Sequence, residues 1–142
     1  MPGMYKPVKA TVGAVVESGG RLLLERRSIE PFKGMWCTPG GHIEFGEPVV
    51  EAMTREVREE TGLSVTSHRF LDYYTEYFAD LDWHAVALVF VCSVEGTPAA
   101  EEGEVAELEW FTPAEALDLD LAFEHRKVIR DYRAASDVGT AD

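Results

Sequence analysis

GHIEFGEPVVEAMTREVREETGL, residues Gly41–Leu63, sets glycines, arginines and glutamates at fixed offsets around one helical segment. At its centre stands Arg55-Glu56-Val57-Arg58-Glu59-Glu60. A helix turns about 100° per residue, so Glu56, Glu59 and Glu60, spaced i, i+3 and i+4, project from one side. With Val49 as origin, Val49, Val50, Met53 and Val57 spread over roughly 0–100°, and the three glutamates over roughly 280° to 20°. The acids therefore flank the apolar stripe, while Glu51, Thr54 and Arg58 take the opposite, solvent-facing arc. Carboxylates gathered beside a core repel one another and ionise together only with a compensating cation. An all-oxygen donor set suits Mg²⁺ or Mn²⁺ better than zinc, which favours His and Cys. Glu56, Glu59 and Glu60 are accordingly expected as metal ligands.

The flanks support a helix at this place. Pro48 is expected in the first turn, Glu47 near the positive end of the helix, and Gly62 as its stop. Upstream, Thr38-Pro39-Gly40-Gly41 is a loop whose glycines permit close approach of backbone to a ligand or metal. Arg55 stands four residues from both Glu51 and Glu59, so it is expected to pin a carboxylate in one rotamer.

This pattern, G-x5-E-x7-R-E-U-x-E-E-x-G-U with U aliphatic, resembles the Nudix box. Gly41, Glu47, Arg55, Glu56, Val57, Glu59, Glu60, Gly62 and Leu63 fill every defining position. The resemblance implies an α/β fold, an α/β/α sandwich around a mixed central sheet. It also implies hydrolysis of a nucleoside diphosphate linked to a further moiety, with Mg²⁺ or Mn²⁺ as cofactor, roughly one to three ions. By the same resemblance the Gly41 carbonyl is a further metal ligand.

A chain of 142 residues with 46% hydrophobic content is ample for one domain over 1–142, with a small, polar and flexible tail from about residue 136. No apolar run approaches 18 residues, and MPGMYKPVKA lacks the hydrophobic stretch of a signal peptide. A cytoplasmic protein without membrane contact is therefore expected. Cys37 and Cys92 show no metal spacing and read as reduced thiols.

The formal charge is −13, and no lysine or arginine occurs between Arg69 and Arg126. Extended nucleic acid needs many phosphate-neutralising cations and is disfavoured as a partner. The same field repels a bare pyrophosphate, so the expected partner is a metal-complexed small nucleoside diphosphate derivative.

Strands are expected at about 9–17 and 21–27, joined through Ser18-Gly19-Gly20 as a hairpin, then a loop over 28–40. After the helix, about 65–77 and 83–95 read as a long second hairpin. A loop over 96–103 precedes a strand at about 107–111. Thr112-Pro113 opens a short helix, and a final helix covers about 122–135.

Bound metals would neutralise the phosphoanhydride and activate water. Glu59 and Glu60 are expected to act in catalysis as well as metal binding, with Arg55 orienting the acids. The general base is either a box glutamate or an acid on a distant loop, where the resemblance points to Glu104. Glu101, Glu102 and Glu107 compete for that role, and a merely solvated acidic loop is the ordinary reading of such a run. Arg26 and Arg27 end a strand where a guanidinium can clamp phosphate, but alternation lets only one face the site. Phe32, Trp36 and Tyr77, with Tyr73, Tyr74, Phe78 and Trp83, are candidates for stacking on a base, set against a role in the core. His42, His68, His84 and His125 show no ligand spacing and read as structural or exposed, not catalytic.

Residues 29–36 with Pro39-Gly40-Gly41, and Leu121–Arg126, resemble the ADP-ribose pyrophosphatase branch. Gly41–Glu47 also resembles the loop of nucleoside triphosphate pyrophosphatases that remove aberrant nucleotides. ADP-ribose or a related nucleoside diphosphate sugar is the favoured substrate. A (d)NTP pyrophosphatase is the alternative, and a nucleotide-sensing domain without chemistry is the alternative from another class. The resemblance also suggests a homodimer.

Overall fold

The computed structural model describes residues 5–140, with side chains through Ser136. Strands β1 (Lys9–Ser18) and β2 (Arg21–Arg27) form the expected hairpin, with Val16 opposite Leu23 and Ser18 opposite Arg21. Gly19 and Gly20 turn the chain at φ 57° and 78°, the paired positive values that a tight two-residue hairpin loop requires. Two short strands follow, β3 (Trp36–Cys37) against β2 and β4 (Gly40–His42) against β1. Helix α1 spans Val49–Thr61 and ends at Gly62, whose left-handed φ of 75° lets its N–H cap the Arg58 carbonyl.

The long hairpin comprises β5 (Ser64–Phe78) and β6 (Trp83–Glu95), and β6 runs parallel to β1. Strand β7 (Val105–Phe111) pairs with the outer side of β2. The result is a seven-stranded mixed sheet in the order β3-β2-β1-β6-β5, with β4 and β7 joined at β1 and β2.

Both faces are covered, which is why β1, β2 and β6 read as nearly continuous apolar runs. On one face Val12, Ala14, Val16, Leu23 and Phe90 pack on Ala52, Met53 and Val57 of α1. On the other, Val15, Leu22, Leu24, Val89 and Val91 meet α2 (Pro113–Leu117) and α3 (His125–Thr140) through Ala116, Val128 and Ile129. Tyr132 and Asp131 fasten α3 to the sheet: the Tyr132 hydroxyl donates to Glu17 at 2.6 Å and that of Tyr74 donates to Asp131 at 2.8 Å. This is the expected α/β/α sandwich. Among the described residues no helix is long and apolar enough to cross a membrane.

Four boundaries differ from the sequence reading. The 28–40 loop holds β3 and the start of β4, strands too short to show a period. Strand β7 begins at Val105. Pro48 is the N-cap, extended at ψ 148°, and not a residue of the first turn. Helix α3 starts at His125 and runs to Thr140, past the point where a polar tail was expected to begin; residues 141–142 of that tail lie outside the described residues.

The site follows from how the sheet divides. Strand β1 pairs with β2 only over Val16–Ser18 and with β4 over Thr11–Gly13, so the Glu25–Arg27 end of β2 splays away from β1. The segment after α2 is stitched to β3: Trp36 N–H donates to the Asp120 carbonyl and Ala122 N–H to the Trp36 carbonyl. That stitching brings Phe123 and His125 to the gap.

Candidate active site

A cavity of about 380 Å³ occupies the gap. Glu25, Glu56, Glu60 and Glu104 line it together with Arg27, Glu76, Trp83, Phe123 and His125. Arg27 is the only Lys or Arg side chain in its wall among the described residues.

The acids of α1 divide by depth. Glu60 is 7% exposed, and its Oε1 accepts the Gly40 N–H at 2.7 Å. Glu56 is half-buried, and the Glu59 side chain is 49% exposed. Gly41 is what allows Glu56 to sit where it does, because a Cβ there would lie 2.6 Å from all three atoms of the Glu56 carboxyl group. Gly40 is equally constrained: a Cβ would lie 2.2 Å from the Val12 carbonyl oxygen, so the β4–β1 approach excludes any side chain.

Arg55 organises these groups. Its Nε and Nη2 bind both oxygens of Glu47, at 2.7 and 3.0 Å. Nη1 reaches Glu56 at 2.9 Å and Glu59 at 3.1 Å, and Nη2 also donates to the His42 carbonyl at 3.0 Å. The partner four residues along is thus Glu59, while Glu51 stays in solvent. Glu47 is held below the usual carboxylate range by the hydrogen bonds from Arg55.

Among the described residues Glu60 has no basic partner. It lies against Glu25 of β2, itself 3% exposed, whose Oε1 accepts the Cys37 thiol at 3.7 Å. Burial raises the proton affinity of both carboxyls, and the Glu25 charge raises that of Glu60 further. Burial raises Glu56 as well, against the pull of Arg55. Buried carboxyls short of positive charge, beside the Gly41 backbone, form an oxygen-rich pocket whose chemistry fits a hard divalent cation. Glu60, Glu101 and Glu104 bring carboxylate oxygens within 4.8 Å of one another on the loop side. Ser28 fastens that loop: its N–H donates to the Glu104 carbonyl at 3.1 Å and its hydroxyl to the Gly103 carbonyl at 2.8 Å.

The remaining candidates separate clearly. Arg27 lines the cavity, with Nε donating to the Pro31 carbonyl at 2.7 Å and the guanidinium 5.0 Å from the Phe123 ring centroid. Arg26 lies on the opposite side of the strand, paired with Glu107 at 2.9 Å. Phe32 supports the wall from behind, its ring 4.8 Å from that of Phe123. Trp36 packs edge-on against Phe111 at 5.1 Å, and Tyr77 is 65% exposed beside His84. Neither Trp36 nor Tyr77 borders the cavity.

The lining residues that escaped the sequence reading as site residues include Glu25, Glu76, Phe123 and His125. Glu76 carries a usable signal, since it alternates with Tyr74 and Phe78 on one face of β5; Glu25 carries none, its neighbours of the same parity on β2 being Arg21, Leu23 and Arg27. His125 is half-buried; its Nδ1 accepts the Thr38 N–H at 3.1 Å, and desolvation depresses its pKa to about 4, so the ring is neutral.

Residues 7–132 match the NUDIX domain. An ADP-ribose pyrophosphatase from Methanocaldococcus jannaschii is 35% identical over 133 residues, covering 91% of this chain and 75% of that protein. The crystal structure of a MutT NUDIX hydrolase from Burkholderia pseudomallei superposes with a TM-score of 0.84 at 29% identity, over 89% of this chain and 98% of the other. The NUDIX domain of Shewanella oneidensis NrtR, solved in complex with ADP ribose, gives 0.82 at 25% identity, over 95% and 92%.

Proposed function

Because this chain belongs to the NUDIX family and is a hydrolase of pyrophosphate bonds, we propose that its substrate is ADP-ribose or a related nucleoside diphosphate sugar and that the reaction requires Mg²⁺ or Mn²⁺. One observation carries this reading: a single cavity holds acids suited to a cation, one arginine suited to phosphate, and an aromatic wall suited to a nucleoside. The likeness to an ADP-ribose pyrophosphatase over nine-tenths of the chain supports the choice of substrate.

Glu56, Glu59, Glu60 and the Gly41 carbonyl would hold the cation. When bound, it supplies charge neutralisation of the phosphoanhydride and acidifies water. The chain's own groups do the rest. Arg55 holds Glu56 and Glu59 in one geometry, and the Gly40 N–H does the same for Glu60, so no rotamer search is needed when substrate arrives. Arg27 meets the pyrophosphate and offsets part of its charge. Glu104, on the loop held by Ser28, takes the proton from the attacking water as the P–O bond to the leaving phosphate breaks. The exposed edge of β5, with Phe70, Tyr73 and Tyr77 at 54, 62 and 65% exposure, supports pairing with a second copy.

The reading is tested by comparing kcat/KM for ADP-ribose, other nucleoside diphosphate sugars and the (d)NTPs with Mg²⁺ present. ADP-ribose is expected to lead by at least tenfold, with AMP and ribose 5-phosphate as products. A (d)NTP in first place would transfer the assignment to the triphosphate pyrophosphatases. Tight nucleotide binding without turnover of any compound would instead favour the sensing domain.

A further inference from the structure

Glu76 is a buried carboxylate that the hydrolytic chemistry does not use. It sits on β5, 4% exposed, in a strand register where its neighbours of the same parity, Tyr74 and Phe78, also turn inward. The Trp83 indole N–H donates to its Oε1 at 3.1 Å. Among the described residues no cation is paired with it, and its group borders the cavity. Burial raises the carboxyl to about 6, which leaves it ionised at neutral pH. A glutamine or an apolar residue would fill this place at less desolvation cost, so the acid calls for a ligand.

The surrounding groups define that ligand. The Trp83 and Phe123 rings stand 5.4 Å apart at 45°, two apolar surfaces meeting beside the carboxylate. Lys9 lies 4.2 Å from the Trp83 centroid, and the His42 ring meets Trp83 edge-on at 6.0 Å, so the indole is held from two further directions. A fixed indole that also donates to Glu76 locks the carboxylate relative to the aromatic wall. Flat heteroaromatic rings stack on such a wall. A carboxylate oxygen at its edge accepts from an N–H and is repelled by a carbonyl.

We infer that Glu76 is a specificity-determining residue, accepting a hydrogen bond from the exocyclic amino group of a base placed against Trp83 and Phe123. The cavity therefore favours adenine over hypoxanthine, which carries a keto oxygen in place of the amino group and an N–H at N1, because a carboxylate aimed at the exocyclic position meets that oxygen. This rests on the reading of the cavity as a nucleotide site. Trp83 is the positioning residue, acting through Glu76.

The test is titration calorimetry of the full chain with AMP and with IMP, Mg²⁺ present, alongside hydrolysis of ADP-ribose. Wild type is expected to bind AMP at least about tenfold more tightly than IMP, the discrimination a polar site shows against a mismatched group. Glu76→Gln presents an amide that can donate to the keto oxygen, so the ratio is expected to fall below about threefold or invert. Trp83→Phe keeps a ring but no N–H, and is expected to lower the ratio partway. Equal binding of AMP and IMP by wild type, binding of neither, or an unchanged ratio in Glu76→Gln overturns the assignment. The wild-type comparison needs no variant to fold. A preserved AMP preference without ADP-ribose hydrolysis supports Glu76 and overturns the substrate assignment alone. ADP-ribose hydrolysis with equal AMP and IMP binding overturns Glu76 alone.

Discussion

Arg55 grips both carboxylate oxygens of Glu47, through Nε at 2.7 Å and Nη2 at 3.0 Å, while Nη1 holds Glu56 and Glu59. The planar fork is what allows one residue to serve four partners, the His42 carbonyl included. Arg55→Lys keeps the charge but has one nitrogen in place of three. Steady-state kinetics are expected to show kcat reduced about 10–100-fold, the equivalent of one or two charged hydrogen bonds at about 1.5–3 kcal/mol each. The melting temperature is expected to change little, because the cluster lies at the edge of α1 and not in its apolar contact with the sheet.

Gly41→Ala is expected to fail for a different reason. The added Cβ would fall 2.6 Å from the Glu56 carboxyl group, so Glu56 must leave its position. Calorimetric titration with Mn²⁺ is expected to show affinity reduced at least about tenfold, in the range that follows loss of a ligand's correct orientation. Unchanged affinity would remove Gly41 and Glu56 from the cation platform.

What the sequence discloses and what it conceals divide along physical lines. Helix α1 was legible apart from its first residue, Pro48 being the N-cap, because it carries its own signals: a 3.6-residue apolar period, the Glu56, Glu59 and Glu60 spacing, and a Gly62 stop. The Gly19-Gly20 hairpin was legible for the same reason. Strands β3 and β4 were not, since two or three residues cannot establish a period, and the pairing of β4 with β1 depends on Gly40 fitting against Val12. Trp36 was a stacking candidate by type alone; its ring meets Phe111, distant in sequence, edge-on and lies outside the cavity wall. Arg26 and Arg27 were narrowed by alternation to one inward residue; the bulge in β2–β7 pairing between them, and the Arg26–Glu107 pair, select Arg27. Glu25 lay hidden because the element that buries it is remote in the chain, and the alternation that marks Glu76 as inward does not say what it faces.

The half-buried His125, hydrogen-bonded to the Thr38 N–H, sets a pH dependence of stability. Its pKa falls from 6.5 to about 4 on folding, so the unfolded chain binds the extra proton between those values. Stability supplied by the neutral ring is therefore present above pH 6.5 and lost as pH falls toward 4, by roughly 3 kcal/mol at about 1.4 kcal/mol per unit. Glu76 acts in the opposite sense, since its raised pKa of about 6 makes stability fall as pH rises from 4.5 through 6. The contribution of His125 is isolated by urea unfolding of wild type and His125→Asn across pH 4–7. The variant keeps an acceptor for the Thr38 N–H but cannot titrate, and its stability relative to wild type is expected to rise as pH falls. Parallel curves would show that the ring is protonated in the folded state.

Glu104 and Glu101 both approach Glu60, but only Glu104 lines the cavity. Glu104→Gln is expected to lower kcat for ADP-ribose about 10²–10⁴-fold, the usual contribution of a general base, with KM within threefold. Glu101→Gln is expected to retain kcat within about fivefold. The reverse ranking would give the proton-accepting role to Glu101.

The central claim is that α1 presents a divalent-cation platform built on Glu56, Glu59 and Glu60. It is tested most directly by Mn²⁺ titration followed by electron paramagnetic resonance, which reports free ion. Wild type is expected to deplete the free Mn²⁺ signal with a saturable stoichiometry, and Glu60→Gln to weaken that binding at least about tenfold. Wild type that leaves the free signal undiminished at millimolar Mn²⁺, or Glu60→Gln that binds as wild type does, would contradict the claim.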